Sequence, residues 1–261
     1  MLVDWSVRQK KQVLILLGLI LVLTSSFLTY EWTQYAFGVV DIADPERLYS
    51  RVTKTLTSFL VFLLAIRVGE AGINRADPAK LKRAFIAIFL GDLLFLMDEF
   101  NPFFDYLAVL AFLAGQVLLI LRNGQGLQAY WRGTRNKLWD ILLGVVILVA
   151  TGALFIATLY PYVKGTAFLY IIPVYALILD VALWTAWMTR KVGYFPRANS
   201  WLIMIVATCF FIGDYIVGFN LSLSPSLARV TTLYLTWLFY APAITLLALS
   251  GYRWGSKRMI L

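Results

Sequence analysis

Long apolar stretches, separated by short segments rich in charged residues, dominate the sequence. The hydrocarbon core of a bilayer is about 30 Å thick, so a helix needs roughly 20 apolar residues to cross it. The pattern predicts an all-α, polytopic membrane protein, a bundle of eight transmembrane helices that forms a single transmembrane domain. The eight segments that reach or approach the required length lie at 12–31, 54–72, 84–99, 103–122, 138–160, 167–189, 199–220 and 229–250.

The composition agrees with a membrane protein and excludes several kinds of catalysis. Hydrophobic residues make up 61% of the chain and charged residues 14%, whereas soluble domains are nearer half and a quarter. Histidine is absent, which excludes Ser-His-Asp and Cys-His nucleophiles and histidine-ligated zinc. The single cysteine, Cys209, can form no internal disulfide. We expect neither a metal nor a cofactor, so catalysis would use carboxylates, hydroxyls, lysine or arginine.

The basic residues indicate how the chain is oriented. If both termini are cytoplasmic, 17 of the 23 lysines and arginines lie on the cytoplasmic side and 4 on the other, as the positive-inside rule requires. A seven-helix alternative without the first segment would place the N-terminus outside. We expect an integral protein of a bacterial inner membrane with both termini cytoplasmic. Because topology accounts for the net charge of +9, the expected partner is membrane lipid and not nucleic acid.

A short string of residues recurs four helices apart. Phe89-Leu90-Gly91-Asp92 lies in the third segment, and Phe211-Ile212-Gly213-Asp214 lies in the seventh. The string suggests two parallel four-helix repeats, residues 12–122 and 138–250, related by an axis along the membrane normal. The third and seventh helices would then be equivalent, and their aspartates could face each other across that axis.

Acidic residues inside apolar segments are the main candidates for function. An ionisable group at bilayer depth costs about 2.5–3.5 kcal/mol on insertion scales, so it normally faces the interior of the bundle. Asp92, Asp180 and Asp214 lie deep in their segments. Glu70 lies near the end of the second segment, where it can pair with Arg67 three residues earlier.

The sequence allows two interpretations of Asp92 and Asp214. As structural residues, they would hydrogen-bond helices together, with Gly91 and Gly213 permitting close approach. As functional residues, they would share an apolar cavity, where two carboxyl groups cannot both ionise cheaply. One would keep its proton, and the pair would supply an acid to protonate one atom and a base to activate water at another. Asp180 is a candidate third member of this group.

Lys54 begins the second segment at its predicted outer end, and it also has two interpretations. It is either an interfacial lysine whose ammonium group reaches the membrane surface or a contact for a phosphate or headgroup at the mouth of the cavity.

Six short motifs are spread over roughly residues 50–250. They are Lys54-Thr55-Leu56-Thr57, Phe85 to Asp92, Phe112 to Gln116, Pro173-Val174-Tyr175, Ile212-Gly213-Asp214 and Phe239-Tyr240-Ala241-Pro242. They resemble motifs of the YhhN family of membrane proteins, whose animal members are lysoplasmalogenases. The chain departs from the family pattern at Thr55, where proline is usual, at Gln116, which replaces a histidine, and at Gly213, which replaces a serine.

The resemblance implies hydrolysis of the vinyl ether bond of a lysoplasmalogen, which releases a fatty aldehyde and a glycerophospho-base. Asp92 and Asp214 are then the expected catalytic residues, in a reaction that parallels glycoside hydrolysis by two carboxyl groups. The substrate would be a membrane lipid or lysophospholipid that enters sideways from the bilayer. The residues expected to bind it are Lys54, Gln116, Tyr175, Asp180 and Tyr240.

Two other classes of membrane protein are alternatives to the hydrolase. A non-catalytic transporter or receptor could use the same buried carboxyl groups to relay protons or to bind a cationic ligand, and the sequence leaves this alternative open. A seven-helix retinal protein is disfavoured because residues 199–250 contain no lysine that could form a Schiff base.

Overall fold

The computed structural model describes residues 6–42, 47–69, 72–73, 76–97, 100–101, 103–135, 137–166 and 168–254. Within these ranges the regular structure is helical, and no β-strand is present. The all-α prediction is therefore confirmed for the described residues. Glu70, which the sequence analysis discussed, lies outside them.

The helices follow the predicted apolar segments, with ends shifted by a few residues. They are α1 (Val7–Ala36), α2 (Leu48–Gly69), α3 (Asp77–Leu96), α4 (Phe103–Asn123), the short α5 (Leu127–Gly133), α6 (Lys137–Leu154), α7 (Tyr160–Val163), α8 (Phe168–Val192), α9 (Arg197–Ser222) and α10 (Leu227–Leu249). The short helix α5 was not predicted from the apolar segments.

One predicted segment, 138–160, is not a regular α-helix throughout. Between α6 and α7 the helix widens into a π-helical turn at Phe155–Leu159. Pro161 follows that turn, and proline has no amide hydrogen to donate to the carbonyl of Ala157 four residues earlier. The regular α-helical hydrogen-bond pattern is therefore interrupted at this place, and π turns of this kind are frequent at functional sites.

Seven helices are long and apolar enough to cross a membrane: α1, α2, α4, the continuous stretch Lys137–Val163, α8, α9 and α10. The structure thus supports an integral membrane protein. The predicted third span is not among the seven, because α3 begins at Asp77, earlier than the predicted residue 84, and its first two turns carry Lys80, Lys82 and Arg83. The structure therefore does not confirm eight spans.

The helices pack in pairs that occur in matching positions in the two halves of the chain. The most extensive packing is between α3 and α4 and between α9 and α10. In the first half α2 packs on α1, α3 and α10, and in the second half α8 packs on α6, α9 and α4. The main hydrophobic core lies where α2, α3, α4 and α10 meet, and includes Leu64, Phe85 and Ile244.

Glycine allows α3 and α4 to approach closely. A Cβ atom on Gly91 would lie 2.6 Å from the ring of Phe112, and one on Gly115 would lie 2.9 Å from the side chain of Ile88. Gly213 differs, because a Cβ atom there would meet Phe239 at an ordinary 3.6 Å. The close approach expected from the repeated Gly-Asp string is therefore required at Gly91 and not at Gly213.

A buried arginine ties four helices together at one end of the bundle. Arg122, at the end of α4, donates two hydrogen bonds to the carboxylate of Asp77 in α3, at 2.7 and 3.0 Å. It also donates to the hydroxyl and carbonyl oxygens of Ser250, just after α10, and Asn199 in α9 donates to the same carbonyl at 2.9 Å. We refer to this end of the bundle as the Arg122 end.

Candidate functional site

A cavity of about 220 Å³ lies inside the bundle and extends from the interior to the end opposite Arg122. A cavity needs about 10–15 Å³ to hold one water molecule, so this cavity is large enough to hold part of a ligand. The walls are mainly apolar and aromatic. The polar and charged residues that line it are Arg51, Lys54, Thr55, Ser58, Asp92, Asp105, Thr151, Tyr175, Asp214, Tyr215, Asn220, Arg229, Thr236 and Tyr240.

Asp92 and Asp214 line this same cavity, from α3 and α9 respectively. Both predicted aspartates therefore point into one space and not toward lipid. The hydroxyl of Tyr240 in α10 lies 2.8 Å from each carboxyl oxygen of Asp92 and donates to that group. Asp214 and Tyr175 line the same cavity as Tyr240.

Asp214 has two hydrogen-bond donors from two other helices. The hydroxyl of Tyr175 in α8 donates to Oδ2 at 3.0 Å, and Nε2 of Gln116 in α4 donates to the same oxygen at 3.2 Å. Gln116 is the residue that stands where the family motif has histidine, and an amide can donate here without titrating. Tyr175, Tyr240 and Gln116, which the resemblance suggested as substrate-binding residues, thus contact the two acids directly.

Aromatic rings hold Tyr240 in position. The rings of Phe112, Phe210 and Trp237 meet it edge to face, with centroids 6.0, 6.0 and 5.1 Å away. Because Tyr240 is almost fully buried and enclosed on several sides, its hydroxyl has little freedom to move away from Asp92. Such packing maintains hydrogen-bond geometry in a way that an exposed tyrosine could not.

Asp180 does not join the pair of acids. Its carboxylate is buried and accepts a hydrogen bond of 2.8 Å from Thr151 in α6, and Thr151 rather than Asp180 lines the cavity. Asp180 therefore does not share the cavity with the other two deep aspartates. The Thr151–Asp180 hydrogen bond instead links α6 to α8.

Lys54 lines the cavity but does not lie at a lipid interface. Its side chain is almost fully buried, and its ammonium lies 2.5 Å from the carboxylate of Glu31 in α1, which also accepts a hydrogen bond from Ser50. The interpretation of Lys54 as a lysine that reaches the membrane surface is therefore wrong. The rings of Phe27, Tyr234 and Trp237 surround the ammonium, with centroids 5.3–5.9 Å away.

Glu31, Arg51 and Arg229 were not among the residues predicted for the site. Glu31 is the last residue of the first predicted segment and Lys54 the first residue of the second, so opposite charges at adjoining helix ends were a signal for their pairing. Arg51 and Arg229 were two of the four basic residues that the predicted topology assigned to the outer side of the membrane. Their positions within one turn of the predicted segments 54–72 and 229–250 were the available signal that they could face the same cavity.

Together these features define a polytopic helical membrane protein whose internal cavity holds two hydrogen-bonded carboxyl groups. The model of the YhhN family matches residues 49–251, and the chain belongs to that family. All six motifs lie within the matched region, whereas α1 precedes it. Comparison with the curated proteins found no match, and comparison with the solved structures found none.

Proposed function

We propose that this YhhN-family protein hydrolyses the vinyl ether bond of a lysoplasmalogen, using Asp92 and Asp214 as acid and base. The observation that carries the proposal is that both carboxyl groups line one apolar-walled cavity, each held by side chains from other helices. Two carboxyl groups in one poorly solvated space favour a shared proton, which leaves one group protonated and the other ionised.

The reaction can be written with these two groups alone. One aspartic acid gives its proton to the vinyl carbon remote from the ether oxygen, and the double-bond electrons form the new C–H bond. The resulting oxocarbenium ion takes up water as the second aspartate removes a proton. The hemiacetal then loses its glyceryl oxygen as an alcohol, and the products are a fatty aldehyde and a glycerophospho-base. Each proton transfer is general acid–base catalysis.

We also propose that α3 crosses the membrane as an eighth span. The first residue of α3, Asp77, pairs with Arg122 and therefore lies at the Arg122 end. The later residues of α3 pack along α4, where Gly91 lies against Phe112. Because α4 is long and apolar enough to span a membrane, the proposal is that α3 runs alongside it over the same depth. With eight spans, the basic residues support two cytoplasmic termini in a bacterial inner membrane.

The two parallel repeats, 12–122 and 138–250, are part of the same proposal. In the proposed eight-span topology, Asp92 in span three accepts a hydrogen bond from Tyr240 in span eight, and Asp214 in span seven accepts one from Gln116 in span four. A two-fold axis along the membrane normal would exchange span three with span seven and span four with span eight, so the two contacts would be equivalent. The matching helix pairs described above support the same relation.

The test is aldehyde release by purified protein from a lysoplasmalogen. In deuterium oxide, with immediate reduction of the product, we expect one deuterium at the carbon next to the carbonyl, because that carbon receives the catalytic proton. Asp92→Asn and Asp214→Asn should each lower turnover by about 100-fold or more, since asparagine can neither give nor take the proton. Asp140→Asn is the control, because this buried acid pairs with Lys191 outside the cavity.

Two outcomes would contradict the hydrolase. Activity that survives both asparagine substitutions would place the chemistry elsewhere. If the unsubstituted protein releases no aldehyde but carries protons or binds a cationic ligand in liposomes, the transporter or receptor alternative is correct.

A further inference from the structure

The cavity extends in two directions from the pair of acids, and the two directions differ. Toward the end opposite Arg122 it is lined by residues of α3, α9 and α10. On these helices the lining residues begin at the level of Asp92, Asp214 and Tyr240, which are joined to the site by the hydrogen bonds described above. Among the described residues, these three helices line no part of the cavity closer to the Arg122 end.

Helix α8 continues the cavity past the acids. It runs toward the Arg122 end, because the carbonyl of Thr189 accepts a hydrogen bond from Ser200 in the first turn of α9, which begins at that end. Tyr175 is level with the acids, since it donates to Asp214. The lining residues of α8 continue from Tyr175 to Leu179, and four residues of helix correspond to about 6 Å. The cavity therefore reaches about one helical turn beyond the acids on this side.

The opposite wall of this extension comes from α6 and the π-helical turn. Thr151 in α6 donates its hydroxyl hydrogen to Asp180, so it lies at the level of Leu179, and Phe155 begins the π-helical turn. We call the space bounded by Thr151, Phe155, Ala176 and Leu179 the inner arm. Three of these four side chains are apolar, and the hydroxyl of the fourth is engaged by Asp180. The inner arm therefore suits a hydrocarbon group.

The end of the cavity opposite Arg122 has a different character. Arg51, Asp105 and Arg229 line it from the first turns of α2, α4 and α10. An end that carries charged side chains is polar whether or not those charges are paired within the protein. The polar part of an amphiphilic ligand would therefore lie at this end, and its apolar part in the inner arm.

The order of environments along the cavity matches the order of groups in a single-chain ether lipid. A polar end, two carboxyl groups and an apolar arm follow one another, as do a headgroup, a vinyl ether bond and a hydrocarbon chain. We infer that the inner arm binds the part of the lysolipid chain next to the reacting bond. The inference deepens the proposed function and rests on it for the identity of the lipid.

The position of the chain can be tested by photolabelling of the unsubstituted protein in phosphatidylcholine vesicles. The probe is a lysophosphatidylcholine whose acyl chain carries a diazirine a few carbons from the ester. Because it has no vinyl ether bond, the proposed reaction does not consume it. We expect mass spectrometry to locate the label within residues 151–155 and 176–179, which include the inner arm. An excess of unlabelled palmitoyl lysophosphatidylcholine should suppress this labelling.

A variant that fills the inner arm should weaken binding of the same lipid. We expect Leu179→Trp to lower the affinity for palmitoyl lysophosphatidylcholine, measured by native mass spectrometry, by about tenfold, because the indole overfills the space. Leu179→Met keeps the volume and apolar character of the side chain, so it should change the affinity by less than about threefold. Leu177→Trp is the matched control, because Leu177 lies on the same helix, is exposed and does not line the cavity. Size-exclusion chromatography and thermal unfolding check that each variant is folded.

Four results would overturn the inference. Labels confined to residues 51–55 and 229–233 would reverse the orientation of the lipid. Labels that excess lysophosphatidylcholine does not suppress would show contact with bulk lipid on the outer face of the bundle. Equal effects of Leu179→Trp and Leu177→Trp, including no effect of either, would remove the chain site. Tighter binding of palmitic acid than of the lysolipid would assign the inner arm to a free fatty acid.

Failure of the hydrolase proposal is a separate result. It would appear in the aldehyde assay with the vinyl ether lipid, whereas the labelling and affinity measurements use an ester lipid and require no turnover.

Discussion

At the scale of single residues, the two acids depend most directly on hydrogen bonds from tyrosine hydroxyls. Tyr240 and Tyr175 each donate to one aspartate, at 2.8 and 3.0 Å. In an apolar-walled space, a lost donor is not replaced as readily as in water. The position and charge of each carboxyl group therefore depend on a neighbouring phenol as well as on burial.

Replacement of either tyrosine by phenylalanine should slow the proposed reaction without unfolding the protein. A hydrogen bond to a charged group contributes about 1.5–3 kcal/mol, so we expect Tyr240→Phe and Tyr175→Phe each to lower kcat by about 10- to 100-fold. Aldehyde release under saturating substrate measures this effect.

Tyr215→Phe provides the comparison for these variants. Tyr215 also lines the cavity, but its hydroxyl bonds to Thr158 and not to an acid. We expect it to change kcat by less than about threefold. An equal loss in all three variants would show that ring packing or cavity shape, rather than hydrogen bonding to the acids, controls the rate.

At the scale of helices, the hydrogen-bonded residues at the Arg122 end determine how α3, α4, α9 and α10 meet. This Arg122 cluster consists of Arg122, Asp77, Ser250 and Asn199. Arg122 and Asp77 are fully buried, and their pairing is bidentate. Removing one member of such a pair leaves an uncompensated buried charge. The cluster therefore stabilises the two most extensively packed helix pairs at the end away from the cavity.

Arg122→Met should lower the free energy of unfolding by about 3–5 kcal/mol, which is the usual cost of breaking a buried ion pair from one side. Asp77→Asn combined with Arg122→Met should recover part of this loss, because neither charge then remains unpaired. Equilibrium unfolding in mixed micelles measures both values. Arg190→Met is the control, because Arg190 stacks on Trp201 and is only partly buried. Similar losses for Arg122→Met and Arg190→Met would refute a special role for the cluster.

At the scale of the whole molecule, the proposed topology is tested by labelling from each side of the membrane. In a Cys209→Ser background, a cysteine at Asn101 should react with an impermeant thiol reagent added outside. Cysteines at Ala76 and at the C-terminus should react only after the membrane is opened. The reason is that α3 separates Ala76 from Asn101 and that basic residues are retained in the cytoplasm.

Two labelling results would reject this topology. If the cysteines at Ala76 and Asn101 react from the same side, α3 does not cross the membrane. If the C-terminal cysteine reacts from outside, the orientation is inverted. A cysteine at Lys164, Gly165 or Thr166, just after α7, which the same topology places outside, controls for access of the reagent.

The sequence by itself determined the helical class and the approximate helix positions. These properties depend on residues close together in the chain, since apolar length and local hydrogen bonding decide where a membrane helix runs. Short motifs also identified the family, and they included Tyr175, Gln116 and Tyr240.

Only the tertiary structure decided which deep residues meet. Asp92, Asp180 and Asp214 look equivalent along the chain, yet Asp180 faces Thr151 and the other two face the cavity. Likewise, Lys54 pairs with Glu31 of another helix, and Arg51 and Arg229 line the same cavity as Lys54. The physical reason is that the rotation of each helix about its own axis is determined by packing against neighbours distant in sequence. Neighbouring positions on a helix face different directions, so a small rotation of the helix about its axis moves a side chain between lipid, core and cavity.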